Sequence, residues 1–247
     1  MKILITGHKG YLGQEFLARY GRDYDIVGFD LLDGFDIADA DSLALAMRGC
    51  DQVVHLAAIP KPVEDKSLGD YLAVNVRGTE NVLAAAVRAG VKRVVYASST
   101  TVYGIEGGIP FQTPITESQP VLFQYAVADK LNCRECDLSY HFSKVMAEQM
   151  LAWYGLNRKI QTVSLRFGPI GKVFLGTSVS DANAAQAISL VLNSPDEFWY
   201  EPFSIVDDVS HIDITKAKRV LDYAPEPPQY TPEQIYSTLA NRYSTER

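Results

Sequence analysis

Cysteine is scarce in this chain: Cys50, Cys133 and Cys136 are the only three in 247 residues. A disulfide framework is not expected from so few thiols at this length, so a hydrophobic core has to carry the fold. Long apolar runs are missing as well. The opening stretch is too short for a secretory h-region, and nothing approaches the ~18 apolar residues of a membrane span, so a cytoplasmic protein is expected. Basic charge is thin, with 23 Lys and Arg against 30 Asp and Glu and a net charge of −7. Nucleic acids and anionic membranes both reward a concentrated positive patch, so neither is an expected partner. The one dense basic cluster, Lys216, Lys218 and Arg219, falls in a helical-looking segment and reads as a solvated helix face. There is no internal repeat and no low-complexity linker. What remains is a composition 47% hydrophobic and 21% charged, ample for one substantial core.

The first half alternates short β-branched runs with amphipathic stretches. Strands are predicted at 3–6, 26–29, 52–56 and 93–97, with helices at 11–20, 42–47 and 67–89 between them. Near-continuous apolar strands such as Ile3-Leu4-Ile5 fit a parallel sheet covered on both faces, an α/β doubly wound arrangement of the Rossmann type. Residues 104–139 carry no strong periodicity and are punctuated by Gly107, Gly108, Pro110, Pro114 and Pro120, which predicts a long functional loop covering the substrate. A helix at 140–154, a strand at 160–167, a helix at 182–192, a strand at 198–206 and helices at 215–221 and 232–241 follow. The expected organisation is a dinucleotide-binding unit over 1–170, and a small substrate lobe over 171–247 that returns in part to the sheet.

Two constellations carry chemistry. Gly7-His8-Lys9-Gly10-Tyr11-Leu12-Gly13 follows the first strand and opens the first helix. Gly7 permits a tight turn, Gly10 lets backbone approach a pyrophosphate, Gly13 lets helix and strand pack, and the helix N-terminus attracts the anion. Asp30 closes the second strand, where a carboxylate accepts ribose hydroxyls and repels a 2′-phosphate, so NAD is expected over NADP. Lys9, inside the turn, is the one group positioned to offset that repulsion. The second constellation is Tyr140-His141-Phe142-Ser143-Lys144, a phenol and an ammonium one helical turn apart. The ammonium favours the phenolate, so Tyr140 can act as general base on a hydroxyl or general acid on a carbonyl. Cys133 and Cys136 lack two further ligands at zinc spacing, and Cys50, His8, His55, His141 and His211 are scattered. No metal is expected, and the two thiols read as ordinary loop cysteines, with a regulatory pair as the alternative.

With Asp36-Ile37, His55-Leu56-Ala57-Ala58, Asn75-Val76-Arg77-Gly78-Thr79 and Ser98-Ser99-Thr100-Thr101-Val102-Tyr103-Gly104 added to those two motifs, the chain resembles the extended short-chain dehydrogenase/reductases, the NAD-dependent epimerase/dehydratase family. The resemblance implies that Gly7, Gly10, Tyr11, Leu12 and Gly13 line the pyrophosphate and that Asp30 holds the adenosine ribose. It implies that Asp36 and Ile37 flank adenine, that Leu56, Ala57 and Ala58 pass beneath ribose and pyrophosphate, and that Asn75 and Phe167 also belong to the cofactor site. Ser99 takes the family place of the hydroxyl that meets the reacting oxygen, and Lys144 binds the nicotinamide ribose besides assisting Tyr140. Thr100, Thr101 and Arg166 are implied substrate neighbours beside Ser99 and Tyr140. A homodimer paired through the helices 67–89 and 140–154 is implied too; Leu151 and Trp153 fit either its apolar contacts or the core.

The chain also departs from the family pattern. Thr100-Thr101 stands where sugar dehydratases carry an Asp-Glu pair, and a threonine cannot deliver a proton as a carboxylic acid does, so dehydration is not expected. The Val-Tyr-Gly ending is similar to epimerases. The short stretch after Arg166, with Arg166-Phe167-Gly168, resembles the compact uronate dehydrogenases. The expected function is hydride transfer on a sugar or nucleotide sugar, epimerase-type, with net oxidation or reduction of a small sugar or sugar acid as the alternative. A non-catalytic dinucleotide sensor is the rival from another class, and Ser99, Tyr140 and Lys144 together count against it.

Overall fold

The computed structural model describes residues 1–104, 113–121, 134–171, 177–207 and 211–227. Six strands form one sheet: β1 (Lys2–Thr6), β2 (Asp25–Phe29), β3 (Gln52–His55), β4 (Arg93–Ser99), β5 (Gln161–Phe167) and β6 (Trp199–Ile205). Their order is β2-β1-β3-β4-β5-β6, and every neighbouring pair is parallel. Parallel strands need helical crossovers, so both faces are covered; this is why Ile3, Leu4 and Ile5 are all 0% exposed. Helices α1 (Tyr11–Tyr20) and α6 (Asp181–Asn193) cover one face, burying Phe16, Ala184, Ala185 and Ile188 against Val95, Val163 and Phe203. The other face receives α2 (Ala40–Ala46), α4 (Gly78–Ala89) and α5 (Glu135–Leu156), with Leu43, Val82, Leu83, Ala147 and Leu151 against Leu4, Val53 and Val94. Chain order reverses between β1 and β3, the switch point at which open α/β sheets bind ligands.

Because α6 and β6 complete the sheet and its cover, the chain after residue 170 contributes to the same layered unit. The predicted helix 67–89 is a composite: a short α3 (Leu68–Tyr71) with a Ser67–Asp70 capping box, a π-helical stretch Leu72–Arg77, then α4. The wide turn carries Asn75 into the interior, where it is 1% exposed. Its amide bonds Ile59 on both sides, Oδ1 accepting from the Ile59 N–H at 2.7 Å and Nδ2 donating to the Ile59 carbonyl at 3.1 Å. Helix α5 begins five residues earlier than the sequence periodicity indicates, because the Asp137 carboxylate accepts the Arg134 N–H at 3.0 Å and pairs with the Arg134 guanidinium at the helix start.

The expected covering loop is therefore shorter. Its middle, around Ile115, is pinned by a parallel bridge to Ile212 and by Glu117, whose Oε1 accepts the Ser204 N–H at 2.6 Å. The predicted helix 232–241 and residue Cys133 lie outside the described residues. Of the two residues open to either a subunit contact or the core, Leu151 is 0% exposed core and Trp153 is 56% exposed. The helical phase explains it: Ala147 and Leu151 fall on the α5 face that packs on the sheet, where Thr162 Oγ1 of β5 donates to the Leu151 carbonyl at 2.9 Å. Among the described residues no helix is long and apolar enough to cross a membrane, and no cluster of three or more His, Cys, Asp or Glu could hold a metal.

Candidate active site

A cavity of about 1120 Å³ opens where β1, β3, β4 and β5 end and the turns after them begin. Gly7, Gly10, Tyr11, Leu12, Gly13, Asp30, Asp36, Ile37, Leu56, Ala57, Ala58, Ser99, Thr100, Thr101, Tyr140, Lys144 and Phe167 all line this single cavity. Asn75 and Arg166, also expected at the site, do not.

At the β1 end the glycine turn passes so close to the turn after β3 that a Cβ on Gly7, whose φ is +71°, would lie 2.7 Å from the Ala57 nitrogen. A Cβ on Gly13 would meet the Gly7 and His8 carbonyl oxygens at 2.6 Å. Gly10 is the N-cap of α1; no side chain caps it and no acidic residue stands in the first turn, so the helix's amides and positive end face the cavity. These features fit a pyrophosphate.

Asp30 is 8% exposed, with Oδ2 accepting the Lys9 N–H and Oδ1 the Leu32 N–H, both at 2.9 Å. Both bonds aim the carboxylate at the turn and rigidify it. The Lys9 ammonium is paired with Asp33, which also lies 3.3 Å from His8 Nε2. The one cation expected to soften the repulsion of a 2′-phosphate is thus already engaged by a second carboxylate. Leu31, Leu32 and Phe35 join Ile37 as apolar lining around this end.

At the other end, Tyr140 and Lys144 share a face of α5. The Lys144 Nζ donates to the Ala97 carbonyl at 2.8 Å, stands 4.8 Å from the Tyr96 ring centre and 5.9 Å from that of Tyr140. Burial pushes its ammonium down to about 8, opposed by the nearby Glu148 carboxylate. The Tyr140 ring is 6% exposed and lies edge-on to Tyr71 at 6.2 Å. Asn75 acts from behind: its Nδ2 donates to Ser143 Oγ at 3.0 Å, and that hydroxyl donates to the Tyr140 carbonyl at 2.7 Å. Asn75 therefore ties the loop after β3 to the Tyr140 turn of α5 instead of lining the cavity.

Ser99 Oγ accepts the Thr101 N–H at 3.2 Å and caps the short 3₁₀ turn Thr100–Tyr103. Ser98 Oγ and Thr101 Oγ1 are buried with no hydrogen-bond partner among the described residues, and both residues line the cavity. Unsatisfied hydroxyls at a cavity wall are places for a polar ligand. His55 bridges Thr6 Oγ1 at 2.7 Å and Thr79 Oγ1 at 3.0 Å. Burial, and secondarily Lys144, depress it to about 3, so it is a neutral structural link.

Arg166 requires a correction. It is 2% exposed and turned into the core, where Nε and Nη2 bind the Glu148 carboxylate and Nη1 donates to Tyr103 Oη at 3.1 Å. Buried among these partners, the guanidinium does not line the cavity. Sequence reasoning also missed Glu148 itself and Tyr96. The signal for Glu148 was present, since it continues the one-turn spacing of Tyr140 and Lys144.

Residues 3–171 match the family described as NAD dependent epimerase/dehydratase. The L-arabinose 1-dehydrogenase (NAD(P)(+)) of Haloferax volcanii is 31% identical over 178 residues, 68% of this chain and 66% of that protein. The UDP-glucose 4-epimerase of Azospirillum brasilense is 31% identical over 187 residues, 67% of this chain and 48% of its own length. This chain thus spans between about half and two thirds of these relatives. A short-chain dehydrogenase/reductase superfamily protein from Agrobacterium tumefaciens, solved with bound NAD, superimposes with a TM-score of 0.76 at 19% identity, covering 99% of this chain and 98% of that one. With the glycine cradle, the acidic lip and the Tyr-Lys pair gathered around one cavity, and the family match running through all of them, the chain belongs to the NAD dependent epimerase/dehydratase family.

Proposed function

We propose that this protein is an oxidoreductase that moves a hydride between NAD and an alcohol carbon of a sugar or nucleotide sugar. The observation that carries the reading is the single cavity with a pyrophosphate cradle at one end and Tyr140 beside Lys144 at the other. NAD, held by the Gly7–Gly13 turn and Asp30, supplies the hydride acceptor. Tyr140 takes the proton of the substrate hydroxyl, or returns one to the carbonyl oxygen. Ser99 orients that oxygen, and Lys144 stabilises the phenolate electrostatically and offers an ammonium to a ribose hydroxyl. Thr101 and Ser98 present further hydroxyls to a polyol. Pairing of two chains through the α5 face that exposes Trp153 and Leu156 completes the reading.

The Ser-Ser-Thr-Thr-Val-Tyr-Gly end of β4 favours an epimerase-type cycle, in which the hydride returns to the substrate. Net oxidation of a small, unactivated sugar is the second reading, favoured because the arabinose dehydrogenase is matched over 66% of its length and the UDP-glucose epimerase over 48%. The experiment is incubation with NAD and a panel of free aldoses, uronates and nucleotide sugars, following NADH by absorbance and products by NMR. Product without NADH supports epimerisation, and NADH in step with product supports dehydrogenation. No conversion by protein that binds NAD would refute the proposal in favour of a dinucleotide sensor.

A further inference from the structure

Tyr140, Lys144 and Glu148 are spaced by successive turns of α5 and share one face. The first two line the cavity; Glu148 is one turn deeper and 0% exposed. Its carboxylate is gripped from β5: Arg166 Nε donates to Oε1 at 3.0 Å and to Oε2 at 3.2 Å, and Nη2 donates to Oε2 at 2.7 Å. Arg166 is steadied in turn by Tyr103, whose hydroxyl shares a 2.8 Å hydrogen bond with Ser204 Oγ, while Tyr200 donates to Glu148 Oε2 at 3.4 Å. Packing alone does not call for this assembly, since apolar side chains of similar volume often serve a core as well as a buried ion pair. The place of the pair points to the reacting end instead.

The groups that face Lys144 come from four elements. They are Tyr140 and Glu148 on α5, Tyr96 on β4, His55 on β3, and Arg166 on β5 behind Glu148. His55 is neutral at working pH, and the two tyrosines carry no charge in their ordinary form. Among the described residues Glu148 is therefore the anion that serves Lys144.

We infer that Glu148, clamped by Arg166, is a positioning residue of the reaction: its carboxylate keeps Lys144 charged although buried, and so keeps an ammonium available to Tyr140 and to a ribose hydroxyl. The inference rests on the roles proposed above for Tyr140 and Lys144. Burial alone favours the neutral amine, and Glu148 opposes it. Arg166 offsets the burial of the carboxylate with three hydrogen bonds and fixes its orientation. Removing Glu148 alone takes that attraction from Lys144 and leaves the Arg166 charge buried without its carboxylate.

The test is NAD binding by calorimetry from about pH 6 to about pH 9.5, with unfolding curves as a check on each variant. Wild-type affinity should fall as pH rises through about 8, where Lys144 loses its proton. Lys144→Met should bind weakly with no such fall. Glu148→Gln, close to isosteric, should move the fall down by about one pH unit, which is about a tenfold loss of affinity above both midpoints. Glu148→Asp, which keeps the charge, should retain most of the wild-type midpoint. A folded Glu148→Gln with the wild-type midpoint overturns the inference while leaving the reading of Tyr140 and Lys144 intact. If Glu148→Gln does not fold, the double variant Glu148→Gln with Arg166→Met removes both buried charges, and an unmoved midpoint there overturns it equally. A flat wild-type profile that Lys144→Met does not change overturns this inference together with the proposed role of Lys144.

Discussion

Replacing Gly7 by alanine separates two jobs that the glycine turn performs. The new Cβ would lie 2.7 Å from Ala57 N, 2.9 Å from Ala57 Cα and 3.0 Å from Leu56 C, all backbone atoms. That backbone has little room to retreat, because Leu56 N–H bonds the Thr6 carbonyl at 3.1 Å and Ala57 N–H bonds Thr6 Oγ1 at 3.2 Å. Two costs therefore add: about 1–2 kcal/mol for a side chain held at positive φ, and about 1–3 kcal/mol for overpacking. Gly49 is the control, with φ +70° and nothing within 4 Å of its would-be Cβ, so Gly49→Ala should carry only the first cost. Gly10 is the complement. Its φ is −69° and its Cβ would meet only the Gly7 oxygen, at 3.1 Å, so Gly10→Ala should fold normally while its methyl crowds the cradle.

Urea unfolding at matched slopes and NAD calorimetry read the two jobs apart. Gly7→Ala should lose about 2–5 kcal/mol, or roughly 5–15 °C in Tm for a chain of this size, and Gly49→Ala less than half of that. Gly10→Ala should stay within about 1 kcal/mol of wild type and bind NAD at least about tenfold more weakly. Equal losses for Gly7→Ala and Gly49→Ala would show that the approach to Ala57 is not tight. Undiminished NAD binding by Gly10→Ala would show that the pyrophosphate lies elsewhere.

Asp30→Ala should weaken NAD and narrow its advantage over NADP in paired calorimetric titrations, and should also cost about 1 kcal/mol of stability through the lost Leu32 cap; an unchanged NAD-to-NADP ratio would remove Asp30 from the ribose. Tyr140→Phe should keep the fold and NAD affinity while lowering kcat by about 10²-fold or more on a verified substrate, and near-normal turnover would refute the acid-base role. Lys144 has a folded-state value near 8 against the ordinary 10.5, so below pH 8 both states are charged and the native state bears the full burial penalty. Between those values the unfolded chain binds more protons and stability rises with pH. Lys144→Met should therefore be more stable than wild type at neutral pH, by at most about 3 kcal/mol, with the gap closing as pH climbs through that window; a gap that stays constant in urea titrations would contradict the burial of the charge.

The order of elements and the parallel sheet were legible in the residues, because they rest on local chemistry; about half of the cavity wall was reached too, several of its residues only through the family resemblance. Ile3-Leu4-Ile5 reads as a two-faced strand, Gly7 to Gly13 as a turn opening a helix, and Tyr140 with Lys144 as one helical face, whatever else the chain does. Asn75 and Arg166 were placed at the site on motif alone, and both turned out to stand behind it. The reason is that a side chain's direction at a strand end or in a helix depends on what meets it. Asn75 is drawn inward by the π-turn and the Ile59 backbone, and Arg166 by a carboxylate 18 positions away in sequence.

Tertiary structure alone decided the charge arrangement. Whether Lys9 answers Asp30 or Asp33, whether Leu151 is surface or core, and whether Lys144 is solvated or buried over Tyr96 are questions of distance and dielectric between segments far apart in the chain. Sequence periodicity reports which face of an element is apolar. Only the packed sheet determines which group lies across that face, and the strength of every charge interaction in the site follows from that packing.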